Sequence, residues 1–423
     1  MLDINFIKEN PEKVKEGTKK KGYDPKIIDR VLKVDETRRQ LIAEVEKWRQ
    51  ARNKQACFSQ AQNKLKKGET KKGKKIKEML RRLEPDLRAV GEQFENLLVE
   101  IPNLPADDVP KGRDESENVE MKKWGKSKKL SFKPKDYQQL GELLDVIDTK
   151  TASKVSGTRF GYLKNEAVQL EFALVQLALE VLIKEGFIPV VSPIMIKDEM
   201  MKGMGYLEHG GEDQAYHLDK DKLYLVGTAE QSVGPMHAGE IFGSKDLPRR
   251  YVGFSTCLRR EAGTYGKDTK GIFRVHQFDK LEMFSFIKPQ PKADKKEHDY
   301  LLSLEEKLVR KLEIPYQVTK MCTGDLGHPT ARKYDLNCWF PAEKRYRETH
   351  SASTTTGYQA RRLNIRYREG NKTDFVHTLN GTAFAIGRMI LAILENYQQK
   401  DGSVSVPKVL QKYTGIKKIS PKK

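Results

Sequence analysis

Residues 251–286 read YVGFSTCLRREAGTYGKDTKGIFRVHQFDKLEMFSF. Two apolar runs flank a loop rich in glycine and lysine, the pattern of an antiparallel hairpin with a long connection. Arg259 and Glu261 lie near the end of the first run. Arg274, Phe278 and Glu282 fall on the second at intervals of four, and an even interval on a strand places side chains on one face. That face would present a guanidinium, an aromatic ring and a carboxylate together. Arginine can bridge phosphate oxygens in bidentate fashion. Phenylalanine offers a surface to a purine, and a carboxylate can help hold magnesium or bind an ammonium group. A charged strand pair on a surface has the same spacing, so spacing alone leaves both readings open.

The rest of the 423-residue chain has room for two or three domains. Hydrophobic residues make up 37% and charged residues 33%, so a core can form beneath a heavily charged surface. A formal net charge of +20 points either to a polyanionic partner or to a solubilising lysine surface. The first residues, MLDINFIKENPEKVKE, carry charges in every turn and have no signal-peptide core. No apolar run approaches the roughly 20 residues that span a bilayer, so no membrane association is expected. Cys57, Cys257, Cys322 and Cys338 are scattered and form no C-x-x-C pair. The expectation is free thiols in a reducing cytoplasm, without structural zinc or a disulfide framework.

Up to about residue 100 the pattern is helical. Ile76, Leu80, Leu83, Leu87, Val90, Phe94, Leu97 and Ile101 step by four and three, a heptad seam. Val34, Leu41, Val45 and Trp48 occupy compatible positions earlier, with Arg38 breaking the seam. Between the runs, NKLKKGETKKGKK holds Gly68 and Gly73, which weaken helix. Two long helices in an antiparallel hairpin are therefore expected. Pro85 should kink or break the second near Glu84. Residues 47–83 hold 14 Lys or Arg against two acids, a basic tip suited to RNA phosphates or merely a solvated face. IPNLPADDVPKGRDESENVE (101–120) reads as a linker. Beyond it, residues 166–185 read as helix, GFIPVVSPIMI (186–196) and LYLVG (223–227) as strands, and the last helix as starting near Thr382.

R-x-E, a loop and FRVHQFxKxE resemble motif 2 of class II aminoacyl-tRNA synthetases in the seryl form. GFIPVVSPIMI resembles motif 1, with Pro193 at a dimer interface in that family. GTAE (227–230) resembles the serine-binding T-x-E loop, and TLNGTAFAIGR (378–388) resembles motif 3. GDLGHPTARKYDLNCWFP, YQARRLNIRYR and the N-terminus also match, so the resemblance to bacterial-type seryl-tRNA synthetases covers nearly the whole chain. It implies an α+β fold: an N-terminal antiparallel helical hairpin (coiled coil), residues 1–105, that binds tRNA, and a class II synthetase-like catalytic domain, residues 106–423, with a mostly antiparallel sheet flanked by helices.

The resemblance also implies roles. Thr228, Ala229 and Glu230 would bind L-serine with Glu282, Asn380 and Thr382. Arg259 would bridge the serine carboxylate and the α-phosphate, making Arg259, Glu282 and Arg388 the catalytic set. Arg260, Glu261, Val275 and Phe278 would hold the nucleotide, and Arg388 the γ-phosphate. Glu348, Thr349, His350 and Ser351 would complete the ATP site, with Glu348 and Ser351 beside Mg2+. The implied partners are serine tRNA, met through its long variable arm, and a second copy of the chain in a cytoplasmic homodimer; selenocysteine tRNA is left open. The sequence departs from the family at Asn337, which replaces an acid, at SASTTT (351–356), which lacks a cysteine, and at Tyr137 and Pro85. An amino-acid:carrier-protein ligase would lack the hairpin. A non-catalytic paralogue would have lost some of Arg259, Glu282, Glu348 and Arg388.

Overall fold

The computed structural model describes residues 1–61, 67–127, 130–263, 271–290 and 292–422. Most of the glycine- and lysine-rich loop (264–270) and the centre of the hairpin connection (62–66) lie outside the described residues, as does the side chain of Cys57. The chain divides into two compact units, Met1–Pro102 and Asn103–Lys423.

In the first unit two short helices, Ile4–Glu9 and Pro11–Lys20, precede α1 (Lys26–Ala61) and α2 (Lys67–Val99). Arg38 lies 4.2 Å over the Phe94 ring, Arg49 pairs with Glu84 at 2.9 Å, and Gln55 lies beside Gly73. Partners descend along α2 as they ascend along α1, so the two run antiparallel. Val45, Ile76, Leu80 and Leu83 form the buried seam, with Leu41, Trp48 and Leu87 against it. Arg38 fits at its break in the seam because Asp35 takes its charge at 2.7 Å while Phe94 takes its planar face.

α2 shows no break near Glu84 and no interruption at the glycines. It runs through Pro85 without ending. Proline forfeits a backbone bond there, but the buried Leu83, the neighbouring Leu87 and the Arg49 fork on Glu84 hold the flanking turns to α1. Gly68 and Gly73 also lie inside the helix. A Cβ at Gly73 would come within 3.0 Å of Gln55 Nε2, so the missing side chain permits close approach.

The second unit is built on a sheet whose strands are β1 (Val119–Trp124), β2 (Ile188–Val191), β3 (Arg249–Leu258), β4 (Gln277–Ile287), β5 (Tyr316–Lys320), β6 (Arg332–Phe340), β7 (Arg345–Thr356) and β8 (His377–Ala385). Their order is β1-β5-β6-β7-β8-β4-β3-β2. All neighbours are antiparallel except β2 and β3. Helices α3 (Glu166–Lys184), α4 (Ala293–Lys311) and α5 (Ile386–Asn396) bury their apolar stripes in the same core as the sheet. The last helix of the motif 3 stretch starts at Ile386, and Thr382 belongs to β8.

The expected linker is fastened to this unit. Asn103 Nδ2 donates to the Pro329 and Thr355 carbonyls at 2.9 and 2.7 Å, and Lys320 pairs with Asp108 at 2.9 Å. Its final residues enter β1 at the sheet edge. Among the described residues no helix is long and apolar enough to cross a membrane.

Candidate active site

The sheet carries a cavity of about 550 Å³ whose walls come from β3, β4, β6, β7, β8 and the loops beside them. Residue 258 on β3 pairs with residue 277 on β4, so the chain leaves the sheet at Leu258 and returns at Gln277. Phe278, Lys280 and Glu282 then alternate on the β4 face that borders the cavity. Arg274 also borders it, but from the loop before β4 rather than from the strand. The backbone there has other partners: Arg259 N donates to the His276 carbonyl at 2.9 Å, and His276 N to that of Arg159 at 3.0 Å.

Two strand irregularities set the opposite wall. On β7, Glu348 and Ser351 both border the cavity although three residues apart. A regular strand would turn them to opposite faces. The register slips there, with Asn337 opposite Glu348 and Leu336 opposite His350, which leaves Thr349 as an extra residue. On β8, Glu282 faces Thr382 and Leu281 faces Phe384, which leaves Ala383 extra. Asn380 and Thr382 therefore share the cavity side with Ala385. A bulge that re-aims side chains beside a site is a recurrent device.

Two buried carboxylates line the cavity, Glu230 and Glu282. Glu230 accepts from the Tyr206 hydroxyl at 2.8 Å and from Gln359 Nε2 at 3.0 Å. Burial, and then the neighbouring Glu282, push its carboxyl up to about 7. Glu282 is 2% exposed and pairs with Lys280 Nζ at 2.6 Å. Burial raises it as well, against the pull of Lys280, Arg259 and the Thr382 hydroxyl. Thr228 is buried beside Glu230, whose backbone N donates to its hydroxyl at 3.3 Å.

Two arginines also line the cavity, Arg259 and Arg388. Arg259 Nε donates to the Gly227 carbonyl at 3.0 Å, and its guanidinium carbon lies 5.2 Å from the centre of the Phe278 ring. Arg388 Nη1 donates to the Glu348 carbonyl at 3.0 Å and carboxylate at 3.1 Å, and stacks 4.7 Å over Phe273. Burial alone would raise Glu348, but Arg388 and Lys333 outweigh it and hold its carboxyl down at about 2. Glu261 has a φ of 50°, a strained backbone for a glutamate. Its carboxylate lies 3.8 Å from Arg274, and Arg159 donates to its carbonyl at 3.2 Å. Val275 completes this wall.

Of the anticipated site residues, Ala229 and Arg260 do not border the cavity. Ala229 is fully buried against Gly253, and Arg260 lies 5.6 Å over the Tyr216 ring. Thr349 and His350 border it but turn their side chains inward. The Thr349 hydroxyl donates to the Leu336 carbonyl at 3.2 Å, and burial takes the His350 imidazole down to about 3. Asn337 lies outside and donates to Thr319 Oγ1 at 3.0 Å. Lys280, Lys333, Tyr206 and Gln359 lie outside the residues that the sequence motifs single out. Lys280 was findable, since it shares the even-numbered face with Phe278 and Glu282. Among the described residues there is no group of three or more His, Cys, Asp or Glu able to hold a metal ion.

Residues 1–105 match the model of the seryl-tRNA synthetase N-terminal domain, and residues 215–397 match that of the tRNA synthetase class II core domain (G, H, P, S and T). A serine–tRNA ligase of Dictyoglomus thermophilum is 45% identical over 430 residues, with 100% of each chain covered. The crystal structure of seryl-tRNA synthetase from Pyrococcus horikoshii complexed with ATP superposes with a TM-score of 0.92 at 42% identity, covering 100% of both chains. A cytoplasmic serine–tRNA ligase from Naegleria fowleri in complex with AMP gives 0.89 at 31% identity, covering 100% of this chain and 99% of that one. By sequence and by fold, this chain belongs to the seryl-tRNA synthetase family of class II aminoacyl-tRNA synthetases.

Proposed function

We propose that the cavity activates L-serine with ATP to seryl-adenylate, and that the enzyme then passes the seryl group to the 3′ end of serine tRNA. The observation that carries this reading is that buried carboxylates and arginines line one cavity. Buried carboxylates at Glu230 and Glu282 suit an ammonium, and Arg259 and Arg388 suit phosphates. The serine carboxylate attacks the α-phosphate of ATP and pyrophosphate leaves. A terminal ribose hydroxyl of the tRNA then attacks the acyl carbon and AMP leaves. No side chain acts as nucleophile, so catalysis comes from positioning and from fixed charges facing the reacting groups.

In this reading Arg259 spans the serine carboxylate and the α-phosphate, Phe278 stacks on adenine and Glu261 reads its amino group. Val275 lines the nucleotide through its backbone, and Arg388 takes the γ-phosphate. Thr228, Glu230, Glu282, Asn380 and Thr382 form the serine pocket. Mg2+ fits Glu348 and Ser351: Glu348 stays ionised, and magnesium typically takes one or two carboxylates and leaves the rest of its shell to water and substrate phosphates. When bound, it would neutralise triphosphate charge. Residues 1–105 are assigned to tRNA binding and 106–423 to aminoacylation, in the cytoplasm, where the tRNA is charged.

A homodimer is supported by apolar residues left open along β2 and α3: Val191 is 82%, Phe172 57% and Ile188 40% exposed. The bacterial-type assignment rests on the motif strings, since relatives of similar identity include both Dictyoglomus and Pyrococcus enzymes. Pyrophosphate exchange with each of the twenty amino acids tests the activity. Serine should drive it at least about 10⁴ times better than alanine, because a pocket that hydrogen-bonds a hydroxyl rejects the analogue lacking it. Equal exchange with both would refute the serine assignment.

The raised Glu230 adds a pH signature. A protonated carboxyl cannot pair with the serine ammonium, so kcat/KM for serine should fall about tenfold per pH unit below about 7 and level off above it. Exchange kinetics between pH 5.5 and 8.5 measure this. A flat profile would remove Glu230 from the ammonium site.

A further inference from the structure

Behind the serine pocket lies an acid that the activation reading leaves without a role. Glu305 on α4 is fully buried, and neither carboxyl oxygen has a hydrogen-bond partner among the described residues. Buried polar groups are normally paired, so an orphaned pair of oxygens calls for a cause. On β8, Asn380 and Thr382 face the cavity, and Gly381 between them faces the other way. A Cβ at Gly381 would lie 3.1 Å from Glu305 Oε1, 3.2 Å from Met283 Cε and 3.5 Å from Leu301 Cβ. The glycine thus admits the carboxyl directly against the back of the strand, one residue from each of two pocket side chains. Ala383, the extra residue of the β8 bulge, follows immediately and loosens the ladder where Thr382 must be held.

We propose that Glu305 is a positioning residue of the amino-acid pocket: its carboxyl braces the Asn380–Gly381–Thr382 segment from behind and so fixes the side chains that read serine. The inference rests on the serine-activation reading. Burial, with Glu282 and Asp335 nearby, drives the carboxyl well above the usual range, against the Thr382 amide and the Lys280 ammonium. An uncharged carboxyl follows, one within reach of the Thr382 amide that adds no further negative charge behind Glu282. Glutamine has the same shape and hydrogen-bonding reach without a charge. Leucine fills the volume and cannot bond.

The test is serine- and alanine-dependent pyrophosphate exchange by the full-length enzyme and its Glu305→Gln and Glu305→Leu variants, with Thr382→Ala as the reference for a damaged pocket. Glu305→Leu should raise KM for serine at least about tenfold and lower the serine-to-alanine ratio towards that of Thr382→Ala, with KM for ATP unchanged. Glu305→Gln should stay within about threefold of the parent in all three quantities. A Leu variant that matches the parent, or a Gln variant as impaired as Leu, would overturn the proposal, as would equal losses for serine and ATP. If the leucine variant does not fold, the glutamine variant still decides between a neutral brace and a required negative charge. Failure of the parent enzyme to exchange with serine would instead sink the activation reading itself.

Discussion

Arg259→Ala should lower serine-dependent pyrophosphate exchange by at least about 10³-fold in kcat/KM while leaving the melting temperature within a few degrees of the parent. Removing one fixed donor from a transition state typically costs about 10²–10³-fold. Arg259 is asked to do more, since it faces the attacking carboxylate and the attacked phosphate at once. Its geometry explains why no neighbour can substitute. Nε is committed to the Gly227 carbonyl at 3.0 Å, and the guanidinium carbon lies 5.2 Å from the Phe278 ring centre. The terminal nitrogens are thereby aimed by two fixed contacts. Lysine can reproduce the charge but not the planar fork, so Arg259→Lys should also lose on the order of 10²-fold. Steady-state exchange with saturating ATP measures both. Near-normal rates in the alanine variant would refute the assignment of this residue and weaken the whole site with it.

How far the site could be read in the sequence depended on the backbone beneath each residue. Phe278 and Glu282 are legible as one face because β4 is regular through both, and a period of two then decides which face they share. Arg274 lies off the strand because the sequence pattern continues past the point where the chain leaves the sheet. Its neighbour His276 spends its backbone on Arg159 and Arg259, a choice no periodicity records. Glu348 with Ser351, and Thr382 with Ala385, share a wall only because Thr349 and Ala383 are extra residues. A bulge depends on the partner strand's register, which a single run of sequence does not carry. TAFAIGRMILAIL is apolar apart from Thr382, Gly387 and Arg388, and so nearly continuous an apolar run does not separate the end of β8 from the start of α5. Tyr206 and Gln359, which hold Glu230, lie 24 and 129 residues from it in sequence, and only folding brings them together. In the hairpin the heptads survived Pro85 because packing against α1 outweighed a single lost backbone bond.

Replacing Lys71, Lys72, Lys74, Lys75 and Lys77 with glutamine should separate the two halves of the reaction. All five side chains are exposed, while Ile76 and Leu80 of the same helix are buried against α1. The substitutions therefore remove charge without touching the seam, and glutamine keeps nearly the same helix propensity. Serine-dependent pyrophosphate exchange needs no RNA and should remain within about twofold of the parent. Serylation of tRNA should fall roughly tenfold or more in kcat/KM at 150 mM salt. The diagnostic quantity is the salt dependence. Each lost phosphate contact lowers the slope of log affinity against log salt by about 0.7–0.9, so the loss of three contacts reduces it by about 2–3. A change that merely disturbed the fold would depress exchange as well and leave the slope alone. A solvated lysine face would leave both activities and the slope unchanged, and that result would withdraw the RNA-binding role from the hairpin while the catalytic assignment stood.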